Sequence, residues 1–110
     1  MTNSPDKIWQ SPQASTLART FTLIRDEELM RNFLRDVMTE KEIFEISARL
    51  EAARMLQQGK KYTEIIEATK LSSRTIARIS GWMQNGESGY KAALEIAATH
   101  HGHIPPARTE

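Results

Sequence analysis

The sequence predicts an all-α fold of six helices. Apolar residues recur at three- and four-residue spacing in several segments, and most of these segments begin at a residue suited to a helix start. No segment alternates apolar and polar residues for long enough to predict a strand. The 110 residues correspond to one domain, and 39% apolar with 26% charged residues are ordinary values for a globular protein.

The composition excludes several classes of site. The chain has no cysteine, which excludes disulfides and thiolate metal ligands and fits a reducing cytoplasm, where we expect the protein to act. No apolar run approaches the roughly 20 residues of a membrane span. No Gly-rich phosphate loop and no nucleophile with a nearby base is recognisable, so the sequence predicts that the chain is not an enzyme. His100, His101 and His103 lie at a frayed helix end, and we expect no metal site there.

The first two predicted helices follow a polar segment, residues 1–11, that we expect to form a flexible N-terminal arm. Pro12 suits the first turn of a helix that continues through Ile24. Its apolar face comprises Leu17, Phe21 and Ile24. Asp26 is a candidate N-cap for the second helix. The apolar stripe of that helix comprises Leu29, Met30, Phe33, Leu34 and Val37.

The third predicted helix is the longest. Thr39 followed by Glu42 has the spacing of a capping box, and Gly59 marks the C-terminal stop. Apolar residues recur along this helix at Ile43, Ile46, Leu50 and Ala53.

Two short helices follow, over about residues 63–84, and are joined by Lys70-Leu71-Ser72. Thr63 is a candidate cap for the first of them, and Ser72 or Ser73 for the second. A last helix over residues 89–100 completes a domain of residues 12–100. Residues 101–110 are expected to form a flexible C-terminal tail.

Two short helices around a three-residue turn predict a helix-turn-helix. Its packing requires apolar residues that face each other across the corner, and the sequence supplies Ile65, Ile66, Leu71, Ile76 and Ile79. The second helix then presents outward Ser73, Arg74, Ala77 and Arg78. These residues lie near the N-terminal end of the second helix. In this motif the N-terminal end enters the major groove of DNA, where arginine can form hydrogen bonds to guanine. One departure is Lys70, which occupies a turn position where a positive φ favours glycine.

Charge is distributed unevenly. Residues 25–45 have a net charge of −3, whereas residues 60–91, which contain the helix-turn-helix, have a net charge of +3. Local positive charge is what binding to double-stranded DNA requires. We therefore expect phosphate contacts from Lys60, Lys61, Lys70 and Ser72, and base contacts from Ser73, Arg74 and Ala77. Arg78 is a further expected DNA contact. The alternative is an ordinary helical corner with a solvated charged surface.

Three segments occur together within residues 38–94: GKKYTEI at 59–65, TIARI at 75–79 and NGESGYK at 85–91. This combination resembles the tryptophan-repressor superfamily, and most closely its YerC/YecD branch. The resemblance implies an intertwined homodimer in which the N-terminal helices and the last helix of two subunits form a shared core. Half-sites on DNA would then lie about one turn, roughly 34 Å, apart.

The resemblance also implies an effector pocket. In the repressor two arginines bracket the indole of a tryptophan corepressor, with a threonine nearby, and these positions correspond to Arg49, Arg78 and Thr39. The residue after the second arginine is glycine in the repressor but Ile79 here, and its side chain would occupy the space of the ligand. We therefore expect no cofactor, with tryptophan or a related small-molecule corepressor as the alternative.

These observations predict a sequence-specific DNA-binding transcriptional regulator, a repressor by its resemblance, that uses one helix-turn-helix from each subunit of a homodimer. The alternative is a structural or protein-binding helical dimer without DNA specificity. The position of the positive charge distinguishes them, because a structural dimer has no need for five cations around one exposed helix.

Overall fold

The computed structural model describes residues 5–85 and 88–103, which form six α-helices, one 3-10 helix and no strand. The fold class predicted from the sequence is confirmed. The α-helices are α1 (Pro12–Leu23), α2 (Glu27–Val37), α3 (Glu40–Gln57), α4 (Tyr62–Thr69), α5 (Ser73–Gln84) and α6 (Gly89–His103). The chain divides into two compact units, the first ending at Ile43 and the second beginning at Phe44.

Local capping signals determine where the helices of the first unit begin. The Asp26 carboxylate accepts a hydrogen bond from the Leu29 N–H at 2.8 Å, which confirms Asp26 as the N-cap of α2. At the start of α3 the Thr39 hydroxyl accepts from the Glu42 N–H at 3.1 Å, and the Glu42 carboxylate accepts from the Thr39 N–H at 2.9 Å. This reciprocal pair is the predicted capping box, and it satisfies two N–H groups that the helix leaves unpaired.

A 3-10 helix, Pro5–Gln10, lies within the segment for which the sequence predicts an arm. The Ser11 N–H donates to the Ile8 carbonyl at 3.1 Å, and the Ser15 hydroxyl of α1 donates to the Trp9 carbonyl at 2.7 Å. Helices of this type are short and have no apolar periodicity, so the pattern that reveals α-helices does not reveal them. Residues 1–4 lie outside the described residues.

The first unit is held by a thin layer of apolar contacts. The rings of Phe21 on α1 and Phe33 on α2 meet edge to face, with centroids 5.6 Å apart. Leu29 and Val37 of the predicted α2 stripe remain half exposed, at 52% and 50%. No side chain of α1 or α2 is fully buried. These two helices therefore carry more apolar surface than their own unit covers.

The core lies in the second unit. The α3 helix ends in a Schellman motif: the Lys60 N–H donates to the Met55 carbonyl, the Gly59 N–H to the Leu56 carbonyl, and Gly59 has a φ of 80°. This confirms Gly59 as the predicted stop. The α5 helix packs against both α4 and α6. The buried side chains are Ala52, Ala53, Met55, Ile65, Ile76, Ile79, Met83 and Leu94, and Leu56, Ile66, Leu71 and Tyr90 pack against them.

Three helix boundaries differ from the prediction. The α1 helix ends at Leu23, one residue before the predicted Ile24, which is its C-cap. Thr63 does not cap α4, because the helix begins at Tyr62 with Lys61 as its N-cap residue. The Glu64 carboxylate accepts from the Lys61 N–H at 2.9 Å, so this helix start is stabilised by an acidic residue in the first turn and not by a hydroxyl. The α6 helix continues to His103, three residues beyond the predicted end.

Other expectations concern the chain ends and the membrane. The side chains of His100, His101 and His103 lie outside the described residues, as do residues 104–110 of the predicted tail. Within the described side chains no group of three metal-ligating residues lies together. None of the helices in residues 5–85 and 88–103 combines the length and hydropathy of a membrane span.

One surface ion pair perturbs a titration on α3. Arg54 donates from Nε to the Glu51 carboxylate at 2.9 Å and forms a second bond through its terminal nitrogen. The hydrogen bond from the guanidinium, with its positive charge, lowers the pKa of the Glu51 carboxyl below its ordinary value.

Candidate nucleic-acid interface

The turn of the helix-turn-helix consists of Lys70, Leu71 and Ser72. Lys70 ends α4 in the left-handed conformation, with φ 64° and ψ 16°, and its N–H donates to the Ile66 carbonyl at 2.8 Å. The Thr69 hydroxyl accepts from the Leu71 N–H at 3.2 Å and donates to the Ile65 carbonyl at 2.7 Å. Sequence reasoning missed this role of Thr69. The sequence feature that could have revealed it is a threonine in the last turn of a helix. Its hydroxyl can form hydrogen bonds to backbone groups on both sides of the corner.

The start of α5 is capped by Ser72. Its hydroxyl accepts from the Thr75 N–H at 3.1 Å and donates to the Thr75 hydroxyl, also at 3.1 Å. Of the two serines that the sequence offers, Ser72 is therefore the cap, and Ser73 is the first residue of the helix. The hydroxyl hydrogen of Ser72 already has an acceptor in Thr75, so a phosphate contact through that hydrogen would require this bond to break.

The two faces of α5 have opposite character. Ile76 and Ile79 are 0% and 1% exposed and fix the helix in the core. Arg74, Ala77 and Arg78 are exposed. Neither guanidinium forms an ion pair or a hydrogen bond with a partner among the described side chains. The predicted division of this helix into a buried apolar edge and an outward cationic edge is thus present in the structure.

Further exposed cations lie around the corner. Lys60 and Lys61 precede α4, and Lys70 follows it. No acidic residue occurs in the first turn of α5, so nothing on that turn offsets the positive end of the helix dipole. An anion can therefore bind at the N-terminal end of α5 without competition from a carboxylate of that turn.

The residues of the predicted effector pocket fall in different surroundings. Thr39 belongs to the first unit, where its hydroxyl caps α3. In the second unit Ile79 is buried in the core, whereas Arg49 and Arg78 are exposed. Arg49 lines an open groove of about 570 Å³, and neither Arg78 nor Ile79 is among its lining residues.

This groove, the α3–α6 groove, is apolar. Beside Arg49 it is lined chiefly by Ile46, Leu50, Trp82, Tyr90 and Ala93. Trp82 is 53% exposed, and Ile46 and Leu50 are 47% and 43% exposed. Large apolar side chains with this exposure, adjacent to one another, are typical of a surface that another molecule covers.

Comparison with known proteins bears on this arrangement. The Trp repressor protein family matches residues 13–97, which include every helix from α2 to α5. The chain belongs to the Trp repressor family. Membership also confirms that the chain is not an enzyme, because the Trp repressor fold belongs to regulatory DNA-binding proteins.

Two relatives of the Trp repressor family agree with the branch inferred from the sequence. The "Uncharacterized protein YerC" of Bacillus subtilis (strain 168) is 32% identical over 90 residues, which cover 82% of this chain and 86% of the relative. A crystal structure of a TrpR-like protein from Eubacterium eligens ATCC 27750 matches with a TM-score of 0.73 at 30% identity. That match covers 80% of this chain and 91% of the other. The resemblance to the YerC branch is confirmed.

Proposed function

We propose that this member of the Trp repressor family is a sequence-specific DNA-binding transcriptional repressor. The observation that carries the proposal is the exposed cationic edge of α5, which the buried Ile76 and Ile79 hold in one orientation. Arginine on a fixed helix can donate two hydrogen bonds to one guanine, and a small alanine beside it permits close approach to the bases. A regulator acts where DNA is, and for a protein with bacterial relatives we therefore propose the cytoplasm.

The exposed residues of the corner divide by role. Ser73, Arg74 and Ala77 are proposed to contact bases, because they form the outward edge at the start of α5. Phosphate contacts are assigned to Lys60, Lys61 and Lys70, with Arg78 in either role. Ser72 contributes through its cap on α5, which aims the helix, more than through its own hydroxyl.

We further propose that the functional unit is a homodimer. In the second unit the α3–α6 groove leaves Trp82 half exposed, and in the first unit α1 and α2 have no fully buried side chain. A second copy that covers these surfaces would bury apolar area that a single chain of this size leaves in water. Two reading helices related by a two-fold axis would then recognise a symmetric operator.

Selection of bound sequences from a random DNA pool tests this function. We expect enrichment of two symmetric half-sites, with the same result whether or not tryptophan is present, because Ile79 already fills the core beside Arg78. Enrichment only in the presence of tryptophan would restore a corepressor, with Arg49 at the α3–α6 groove as its first contact to test. If the selection enriches no sequence, the alternative function is supported, a protein-binding helical dimer without DNA specificity.

The dimer has a separate spectroscopic test. Trp9→Phe leaves Trp82 as the single tryptophan of the chain. If a second copy covers the groove, the Trp82 emission should shift to shorter wavelength as the protein concentration rises through the dissociation constant. Sedimentation of the same samples supplies the mass. A monomer at all concentrations with unchanged emission would contradict the proposed dimer.

A further inference from the structure

Lys70 is the one residue other than glycine with a positive φ among residues 5–85 and 88–103. In the left-handed conformation the Cβ atom of an L-residue crowds the following carbonyl oxygen. This crowding lowers the folding equilibrium constant by about 5- to 30-fold relative to an unstrained residue. A lysine at this position therefore makes the corner less stable than it could be.

The backbone of the corner explains the conformation but not the lysine. The Lys70 N–H closes α4 onto the Ile66 carbonyl, and the Leu71 side chain packs against the core on the other side of the turn. Any residue at this position would take a positive φ, and glycine would take it without strain. At the other left-handed position among the described residues the chain has glycine, Gly59, where φ is 80°.

Folding contacts do not explain the side chain either. The Lys70 side chain is exposed and has no ion-pair or hydrogen-bond partner within the described part of the chain. It lies two residues before Ser72, the cap of the helix that carries Arg74. The backbone of Lys70 is fixed in the turn that precedes α5, so its flexible stem extends into solvent from that turn.

We propose that the ammonium of Lys70 contacts a phosphate of the DNA backbone. A lysine at this position therefore lowers the folding stability of the corner but increases its affinity for DNA. This inference rests on the proposed DNA-binding function. A phosphate is the fitting partner because a lysine ammonium is a compact charge that neutralises one backbone oxygen and releases one counterion. The contact would be the same on every DNA sequence.

Two substitutions separate the strain from the charge. Lys70→Gly removes both, whereas Lys70→Gln removes the charge and keeps a side chain in the left-handed conformation. In urea unfolding Lys70→Gly should gain roughly two- to sixfold in the folding equilibrium constant, because the freedom of glycine in the unfolded chain offsets part of the relieved strain. The stability of Lys70→Gln should stay close to that of the parent.

DNA binding should change in the same way for both variants. Each should bind about fivefold more weakly at 0.15 M salt, with a loss of about 0.9 in the slope of log affinity against log salt. The loss should be equal on selected and random DNA. Lys41→Gln, which removes a lysine from the acidic segment, is the control for overall charge and should leave the slope unchanged.

The outcomes distinguish this inference from the function on which it rests. A parent that prefers a selected sequence, together with a Lys70→Gly variant of unchanged affinity and slope, would overturn the phosphate contact but leave the proposed function. A Lys70→Gly variant no more stable than the parent would overturn the strain. A parent with no sequence preference would overturn the proposed function, and the inference with it.

Discussion

The cap at the start of α5 provides the sharpest test of how the corner is built. Ser72→Ala removes the hydroxyl that accepts from the Thr75 N–H at 3.1 Å. Loss of an N-cap serine costs about 1 kcal/mol of folding free energy. The second bond, to the Thr75 hydroxyl, is exposed, and water can replace it at little cost. With an m-value of about 1 to 3 kcal/mol per molar urea, the unfolding midpoint should fall by roughly 0.3 to 1 M.

The assay is urea unfolding followed by far-UV circular dichroism, with Ser73→Ala as the matched control. Ser73 is exposed and makes no cap bond, so its substitution should change stability by less than about 0.5 kcal/mol. Ser72→Asp should preserve the cap, since aspartate is an equally good N-cap, but weaken DNA binding through repulsion of the phosphates. A midpoint that falls for Ser73→Ala and not for Ser72→Ala would refute the assignment of the cap.

Four further predictions address other parts of the molecule. Arg74→Ala should cost about 1 to 3 kcal/mol at one base position and relax preference there in a binding selection; an equal loss on all sequences would make it a phosphate contact. Lys61→Ala should weaken binding evenly and reduce the salt slope by about one, as measured by fluorescence anisotropy. Ile65→Ala should lower the free energy of unfolding by about 2 to 5 kcal/mol in urea titration, because the side chain is fully buried. Arg54→Ala should raise the pKa of the Glu51 carboxyl toward its ordinary value in an NMR titration. Because the pKa of Glu51 is lower in the folded state, the stabilisation from this pair is fully present above the unfolded-state pKa. It is lost as the pH falls from there through the folded-state pKa.

Local signals explain why so many helix ends could be predicted from the sequence. Asp26, the Thr39 capping box, Gly59 and Ser72 act on backbone groups no more than four residues away, so spacing alone reveals them. Thr63 was a wrong prediction because a hydroxyl is only one way to stabilise a helix start, and here a carboxylate in the first turn takes that role. The pattern of residue types in the sequence does not show which of two neighbouring residues will stabilise the helix start.

The groove could not be predicted for a different reason. Arg49 and Trp82 line the same surface although they are far apart in the chain, and no periodicity relates positions on different helices. The sequence placed Ile46 and Leu50 on an apolar stripe, but a stripe does not tell whether the same chain or another molecule covers it. The strain at Lys70 likewise required coordinates, since only the backbone shows that the turn uses a positive φ at this residue.

The central claim is that the outward edge at the start of α5 meets DNA. An NMR titration of the full chain with its selected DNA duplex measures this directly, residue by residue. The account predicts that the largest amide shifts fall on Ser73, Arg74 and Ala77 and on the turn before them. Shifts confined to α1 and α2, or saturable binding that leaves the α5 amides unmoved, would contradict it.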